Sequence, residues 1–351
     1  MTPVEERLRR RIALTGPISV AEYMAACLTD PDGYYARHEP FGSAGDFVTA
    51  PEISQMFGEI VGAFLLDRWH ADGAPSPVDL VELGPGRGTL MVDVLRVAGR
   101  DPRFKGASLL VLVEASQRLR QMQRDRLAPL HPRIAFADTP PRERPIYLIA
   151  NEFFDALPIR QYVRQDGRWF ERTVGLEGDR LAFGLSPYAT PMTHEAPEGA
   201  VREVSPATTA IAEQLGETLA AHGKGAALII DYGYENMIGG ETFQAVRRHS
   251  NVDVLERPGE VDLSAHVDFS ALKRAATRGG AVAHGPIGQG RFLVSLGLLQ
   301  RAGQLGAEAD EATREGLTAA VHRLAGEGEG EMGTLFKALA LTATRAVPPG
   351  F

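Results

Sequence analysis

The segment VDLVEL, residues 78–83, runs without a break into GPGRGTL and then into a helical pattern reaching about Ala98. An apolar strand that feeds a glycine-rich turn and a helix leaves few folds open to the chain. The same alternation continues downstream. SLLVLVEA, 108–115, reads as a second strand, followed by a helix over about 117–127. RIAFAD, 133–138, is a third strand and PIYLIANEF, 145–153, a fourth. Strands and helices in alternation, with short connections, predict an open, mostly parallel α/β sheet.

The turn itself narrows the ligand. Glycine lets the backbone pass close to a bound molecule and adopt dihedrals that a side chain forbids. The helix behind it presents free N–H groups. A dinucleotide fold would favour GxGxxG with the pyrophosphate at the helix N-terminus. Here Gly84, Gly86 and Gly88 follow a GxGxG spacing, and Glu82 precedes them. A carboxylate repels a phosphate but suits a cationic amino-acid moiety. Glu114, at the end of the second strand, is placed to accept both hydroxyls of a ribose. Asp138, closing the third strand, can reach an adenine edge. Three acids at the C-terminal ends of consecutive strands match the ligand crevice of such sheets, although strand-end acids also serve as helix caps.

After the fourth strand, IANEFFDALP places Asn151, Glu152 and Asp155 on a turn. Paired carboxylates match an arginine guanidinium, whose planar group supplies several donors. Glu152 and Asp155 are therefore expected to clamp a cationic substrate, with Asn151 as a local positioning group. A capping network is the plain structural alternative. Tyr34, Tyr35, His38, Phe41, Asp46, Thr49 and Glu52 crowd a glycine-containing loop read as a lid. Asp231, at a later strand end, is another site-like acid, and His266 is read as a residue that starts a helix.

Around this core the pattern varies. Residues 4–14 form an amphipathic helix with Val4, Leu8, Ile12 and Leu14 on its apolar side. Ser19 and Glu22 have capping-box spacing before a second helix. A third helix spans roughly Ser54 to His70. Alternating runs flank Asp166-Gly167, a hairpin signal, and 180–186 adds another strand, so 158–205 reads as an antiparallel insertion. A helix then leads to the strand GAALIIDYG, 225–233. AVAHGPI and TLFKALALTAT are further strands, with LVSLGLLQRAG and 308–325 helical between them.

Composition removes several classes. With 44% hydrophobic residues among 351, the chain can bury a real core. Its single cysteine, Cys27, excludes an intramolecular disulfide and cysteine-rich zinc frameworks. A net charge of -8 argues mildly against nucleic-acid binding. There is no metal-site, P-loop, GxSxG or nucleic-acid motif. No apolar run approaches the roughly 20 residues that cross a bilayer. The first residues lack a secretory pattern, and Glu5 and Glu6 argue against an organellar presequence, so a cytoplasmic location without membrane insertion is expected.

Seven blocks in order, from GYYARHEPFGSAGDFVTAPEISQMFGE through VELGPGRGTLMVDVLR, VLVEASQRLRQMQ, IANEFFDALPIRQYV, ALIIDYGY and VDLSAHVDFSAL to MGTLFKALAL, resemble the mitochondrial complex I assembly protein-arginine methyltransferase family. The resemblance runs over about residues 10–345; one departure is Phe243, where a leucine is more usual. It implies a Rossmann-like class I methyltransferase fold with a seven-stranded, mostly parallel sheet, binding S-adenosyl-L-methionine. Glu82, Gly84, Gly86 and Gly88 match the cofactor motif and Glu114 the ribose-binding acid. The implied organisation is a helical N-terminal cap and lid (1–75), a first core part (76–157), the insertion (158–205) and a second core part (206–351). The implied reaction is methyl transfer to an arginine of a protein substrate, with symmetric dimethylation of a complex I subunit in the mitochondrial member. The rival expectations are an assembly factor that binds the cofactor without turnover, and a small-molecule O- or N-methyltransferase.

Overall fold

Apolar strands buried on both faces organise the larger of two compact units in the computed structural model, which describes residues 1–37, 49–235, 240–247, 250–328 and 330–351. That unit comprises Val48–Phe154, Thr209–Glu235 and Val267–Phe351. Across its sheet the strands run Val282–Gly288, Phe336–Thr342, Ala226–Tyr234, Ile146–Asn151, Val78–Leu83, Ser108–Val113 and Ile134–Ala137. The short strand Val267–Asp268 pairs alongside Gly233 and Tyr234. The pairings from Ala226–Tyr234 to Ile134–Ala137 are parallel. Phe336–Thr342 is antiparallel to both of its neighbours. Every residue of Val78–Leu83 and of Ile146–Asn151 is buried, the mark of strands covered on both faces of a parallel sheet, and this includes the polar Asp79, Glu82 and Asn151.

The order of connection positions the site. From Val78–Leu83 the chain builds outward through Ser108–Val113 to Ile134–Ala137, then returns to the opposite side as Ile146–Asn151. The strand order thus reverses between Val78–Leu83 and Ile146–Asn151, where Glu82 lies opposite Ile149 and Leu83 opposite Ala150. A crevice opens beyond the carboxyl ends of strands at such a switch point.

Helices cover the sheet through close contact. Gln55–Ala71 packs on Thr89–Ala98, and a Cβ added at Gly62 would lie 2.6 Å from the Val94 carbonyl oxygen. Phe57, Val61, Phe64 and Leu65 are buried in the same core as Leu80, Met91, Val94 and Leu112. Each such side chain contributes roughly 1.5–3 kcal/mol by leaving water. The stretch expected as one helix at LVSLGLLQRAG is two, Gln289–Ser295 and Leu298–Gly306. Gly297, at φ 97°, takes the left-handed conformation that ends the first of them.

The second unit comprises Met1–Phe47, Asp155–Thr208 and Asn236–His266. Helix Pro3–Thr15 buries Val4, Leu8 and Ile12, whereas Leu14, expected on the same face, is exposed. Leu14 lies two residues past Ile12, about 200° further round a helix of 3.6 residues per turn, so it falls outside the apolar stripe of Val4, Leu8 and Ile12. Helix Val20–Thr29 starts at the expected capping box: Glu22 N donates to Ser19 Oγ and Ser19 N to the Glu22 carboxylate. The insertion is an antiparallel sheet of Arg160–Gln165, Arg168–Glu177, Arg180–Thr190 and Val201–Val204, with Ile18–Ser19 on its edge. Its tight turn is Asp166-Gly167, both at positive φ, with Gln165 paired to Arg168. A three-stranded sheet of Gln244–Arg247, Ser250–Val252 and Asp262–Ser264, which no alternation pattern announces, completes the unit.

Candidate functional site

The strand Val78–Leu83 delivers Glu82 to the crevice. Its side chain is 3% exposed, and Oε2 is buried with no hydrogen-bond partner among the described residues. Burial, reinforced by the charge of Glu114, pushes its carboxyl up to about 8. A buried acid without a donor is costly, so its retention here points to a donor that arrives with a ligand. Immediately after it, Gly84, Gly86 and Gly88 stand at φ 60°, 50° and 75°. A Cβ at Gly84 would lie 2.9 Å from Cδ2 of Phe153. The turn is closed by Gly88 N donating to Pro85 O at 2.7 Å and tied to the next strand by Gly84 N on Val113 O at 3.0 Å. Helix Thr89–Ala98 begins directly behind it.

Glu114 follows the strand Ser108–Val113. It accepts from Ser116 N at 2.8 Å and from Gln123 Nε2 at 3.2 Å, while burial holds its carboxyl above the usual range. Gln123, fully buried on helix Gln117–Leu127, also donates to the Gly86 carbonyl at 2.7 Å. Sequence reasoning missed this residue, since a glutamine on an arginine-rich helix carries no local signal. Asp138 is different: its side chain is 88% exposed and ion-paired with Arg120.

Across the switch point, the backbone turns sharply at Glu152, whose φ is 49°. A non-glycine residue in that region is strained and persists where its surroundings hold it. Glu152 N donates to Ile230 O at 2.9 Å, and Oε1 accepts from Ala50 N at 3.2 Å and Asn151 Nδ2 at 3.1 Å. Asn151 is itself buried, and its Oδ1 has no hydrogen-bond partner among the described residues. Asp231, fully buried, accepts Phe153 N, Phe154 N and Tyr232 N at 3.2, 2.9 and 2.9 Å. The site-like acid at 231 therefore clasps the turn that carries Glu152. Glu52, on the short helix Ala50–Ile53, accepts from Thr89 Oγ1 at 2.7 Å.

Thus Glu82, the three glycines, Glu114, Asn151 and Glu152 are all found in one unit. Asp155 opens the other unit, where it is buried and its carbonyl accepts from Ala265 N at 3.0 Å. His266 belongs to that unit as well; burial lowers its imidazole below the usual value, and its backbone N–H donates to Thr242 Oγ1. The helix that follows is capped by Asp268 instead, through Ala271 N. Of the lid residues, His38, Phe41 and Asp46 lie outside the described residues. Glu203, unannounced by any motif, accepts from Gln161 Nε2, Thr242 N and Phe243 N at 2.8–3.0 Å and ties the insertion to the segment before residue 244.

Three comparisons bear on this site. Residues 60–287 match the model of a family described as S-adenosyl-L-methionine-dependent methyltransferase. The mitochondrial protein arginine methyltransferase NDUFAF7 of Homo sapiens is 38% identical over 85% of this chain and 74% of its own. The Drosophila melanogaster homologue is 36% identical over 96% of this chain and 84% of its own. Among solved structures, a Burkholderia thailandensis protein bound to S-adenosyl-homocysteine superposes with a TM-score of 0.85 at 29% identity, covering 99% of this chain and 94% of that one. The expected cytoplasmic location is overturned, because the curated relatives are mitochondrial proteins. The lack of a secretory pattern and of long apolar runs carried no information on compartment; among the described residues no helix is long and apolar enough to cross a membrane.

Proposed function

We infer the function from one premise: the chain belongs to the S-adenosyl-L-methionine-dependent methyltransferase family. It is a methyltransferase of Rossmann-like fold, and its acceptor is a protein arginine. The observation that carries the cofactor assignment is the buried, unpartnered Oε2 of Glu82 beside a left-handed glycine turn. That donor-hungry carboxylate fits the ammonium of the cofactor's methionine portion. Gly84, Gly86 and Gly88 give the backbone its close approach, Glu114 receives the ribose hydroxyls, and Asp138 lies toward the adenine edge. When bound, the cofactor supplies an electrophilic methyl group on a sulfonium.

The protein's own share is alignment and exclusion of water. A guanidinium nitrogen is a poor nucleophile, so holding it in one orientation matters more than a strong base. Glu152 is the orienting acceptor; Asn151 and the Ala50 amide fix its carboxylate. Asp155, three residues further along the chain, is the second carboxylate of the clamp in the same proposal. The relatives named as protein arginine methyltransferases support arginine as the acceptor and a protein as the substrate. A respiratory complex I subunit, symmetrically dimethylated, is the specific target that the family resemblance favours.

The test is transfer of a labelled methyl group to cell lysate, followed by peptide mapping. Label on protein arginine is expected. Glu152→Gln should lower turnover about a hundredfold while S-adenosyl-homocysteine still binds within about twofold of the unmodified chain. Label on another residue type, or on small molecules only, overturns the acceptor assignment. Normal turnover by Glu152→Gln overturns the role of Glu152.

A further inference from the structure

Gln123 stands out among buried polar groups because its amide joins two parts of the site that are far apart in sequence. Nε2 donates to the Gly86 carbonyl at 2.7 Å and to Glu114 Oε2 at 3.2 Å. Both partners are acceptors, so the orientation of the amide is settled by chemistry: a flipped amide would set oxygen against two oxygens. Its own Oε1 is buried with no hydrogen-bond partner among the described residues. A leucine or methionine would fill the same space without stranding an acceptor, so packing alone does not account for a glutamine here. The donated bond also favours the ionised form of Glu114, against the burial that opposes it. An ionised carboxylate is the form that accepts from hydroxyls on both oxygens.

We propose that Gln123 is a positioning residue for cofactor binding, setting the distance and charge of Glu114 relative to the crest of the glycine turn so that a ribose diol is recognised. The proposal rests on the assignment of Glu114 to the ribose. Gln123 touches the carboxylate and the turn, and acts on the ligand through them. Its signature is selective: loss of Gln123 weakens ligands that carry the diol and spares ligands that lack it.

The experiment is calorimetry with S-adenosyl-homocysteine and its 2′,3′-dideoxy analogue on the full chain, Gln123→Met, Glu114→Gln and the double variant. Gln123→Met is expected to weaken S-adenosyl-homocysteine about 10- to 100-fold, the range for a hydrogen bond to a charged group. The dideoxy analogue should change less than about threefold, and the double variant should bind no worse than Glu114→Gln alone. Equal weakening of both ligands, or no weakening, overturns the role of Gln123. If Gln123→Met does not fold, Gln123→Asn, one methylene too short to reach both acceptors, takes its place with the same expected pattern. A full chain that binds neither ligand overturns the cofactor site itself; one that binds both ligands equally overturns the ribose assignment of Glu114 and this inference with it.

Discussion

Glu82 shows how much one residue carries. Its carboxyl titrates at about 8 in the folded chain, against an ordinary 4.5, because the sheet removes it from water and Glu114 adds a like charge. The folded state therefore favours the protonated form. Stability from that source is fully present below pH 4.5 and is lost as pH rises through about 8, to a total on the order of 5 kcal/mol. Denaturation of the full chain and of Glu82→Gln across that range should diverge in this sense, the variant lacking the decline. Affinity for S-adenosyl-homocysteine should move oppositely, rising toward pH 8 as the carboxylate ionises to meet an ammonium, and Glu82→Gln should flatten it. A full chain whose stability does not fall relative to the variant refutes the raised carboxyl.

Single elements hold their functional ends by ties that cross the sheet. The turn after Ile146–Asn151 holds its strained φ at Glu152 with the Glu152 N–H on Ile230 O and the Phe153 and Phe154 N–H groups on Asp231 of the neighbouring strand, which also accepts from Tyr232 N. Asp231→Ala leaves those donors unmatched in a buried place and should cost about 2–4 kcal/mol in denaturant unfolding. Amide exchange at Phe153 and Phe154 should accelerate first; unchanged protection there would refute the clasp. The residues of this turn were legible as a motif, but its fastening was not. Asp231 lies 78 and 77 residues from Phe153 and Phe154, and only a parallel pairing of Ala226–Tyr234 with Ile146–Asn151 brings them together. The break at Gly297 was likewise hidden, since an apolar spacing continues across it.

For the whole molecule, the division into two compact units decides where a ligand leaves its mark. Glu82, the glycine turn, Glu114 and Glu152 all lie in the sheet unit. S-adenosyl-homocysteine at a hundredfold over its Kd should add about 2.7 kcal/mol to the stability of the folded state. Hydrogen exchange should concentrate the added protection at residues 82–90 and 112–116, leaving the insertion sheet, residues 160–204, unchanged. Protection spread evenly over both units would count against a cofactor site confined to the sheet unit.

Strand periods, the Asp166-Gly167 hairpin, the Ser19–Glu22 cap and the acids at the strand ends were all readable from residue order, because each depends on neighbours within a few positions. An open, mostly parallel sheet with Glu82, Glu114 and Glu152 at or just past its strand ends followed from them; the count of seven strands was implied only by the family resemblance. What local order could not contain was pairing at a distance. Gln123 meets Gly86 across 37 residues, and Glu203 meets Thr242 across 39. Gln123 is a polar side chain drawn into a core by partners that the sheet supplies, and no composition or spacing marks it. The acids and glycines that meet at the crevice were readable in residue order; their protonation, strain and fastening arose when folding removed them from water.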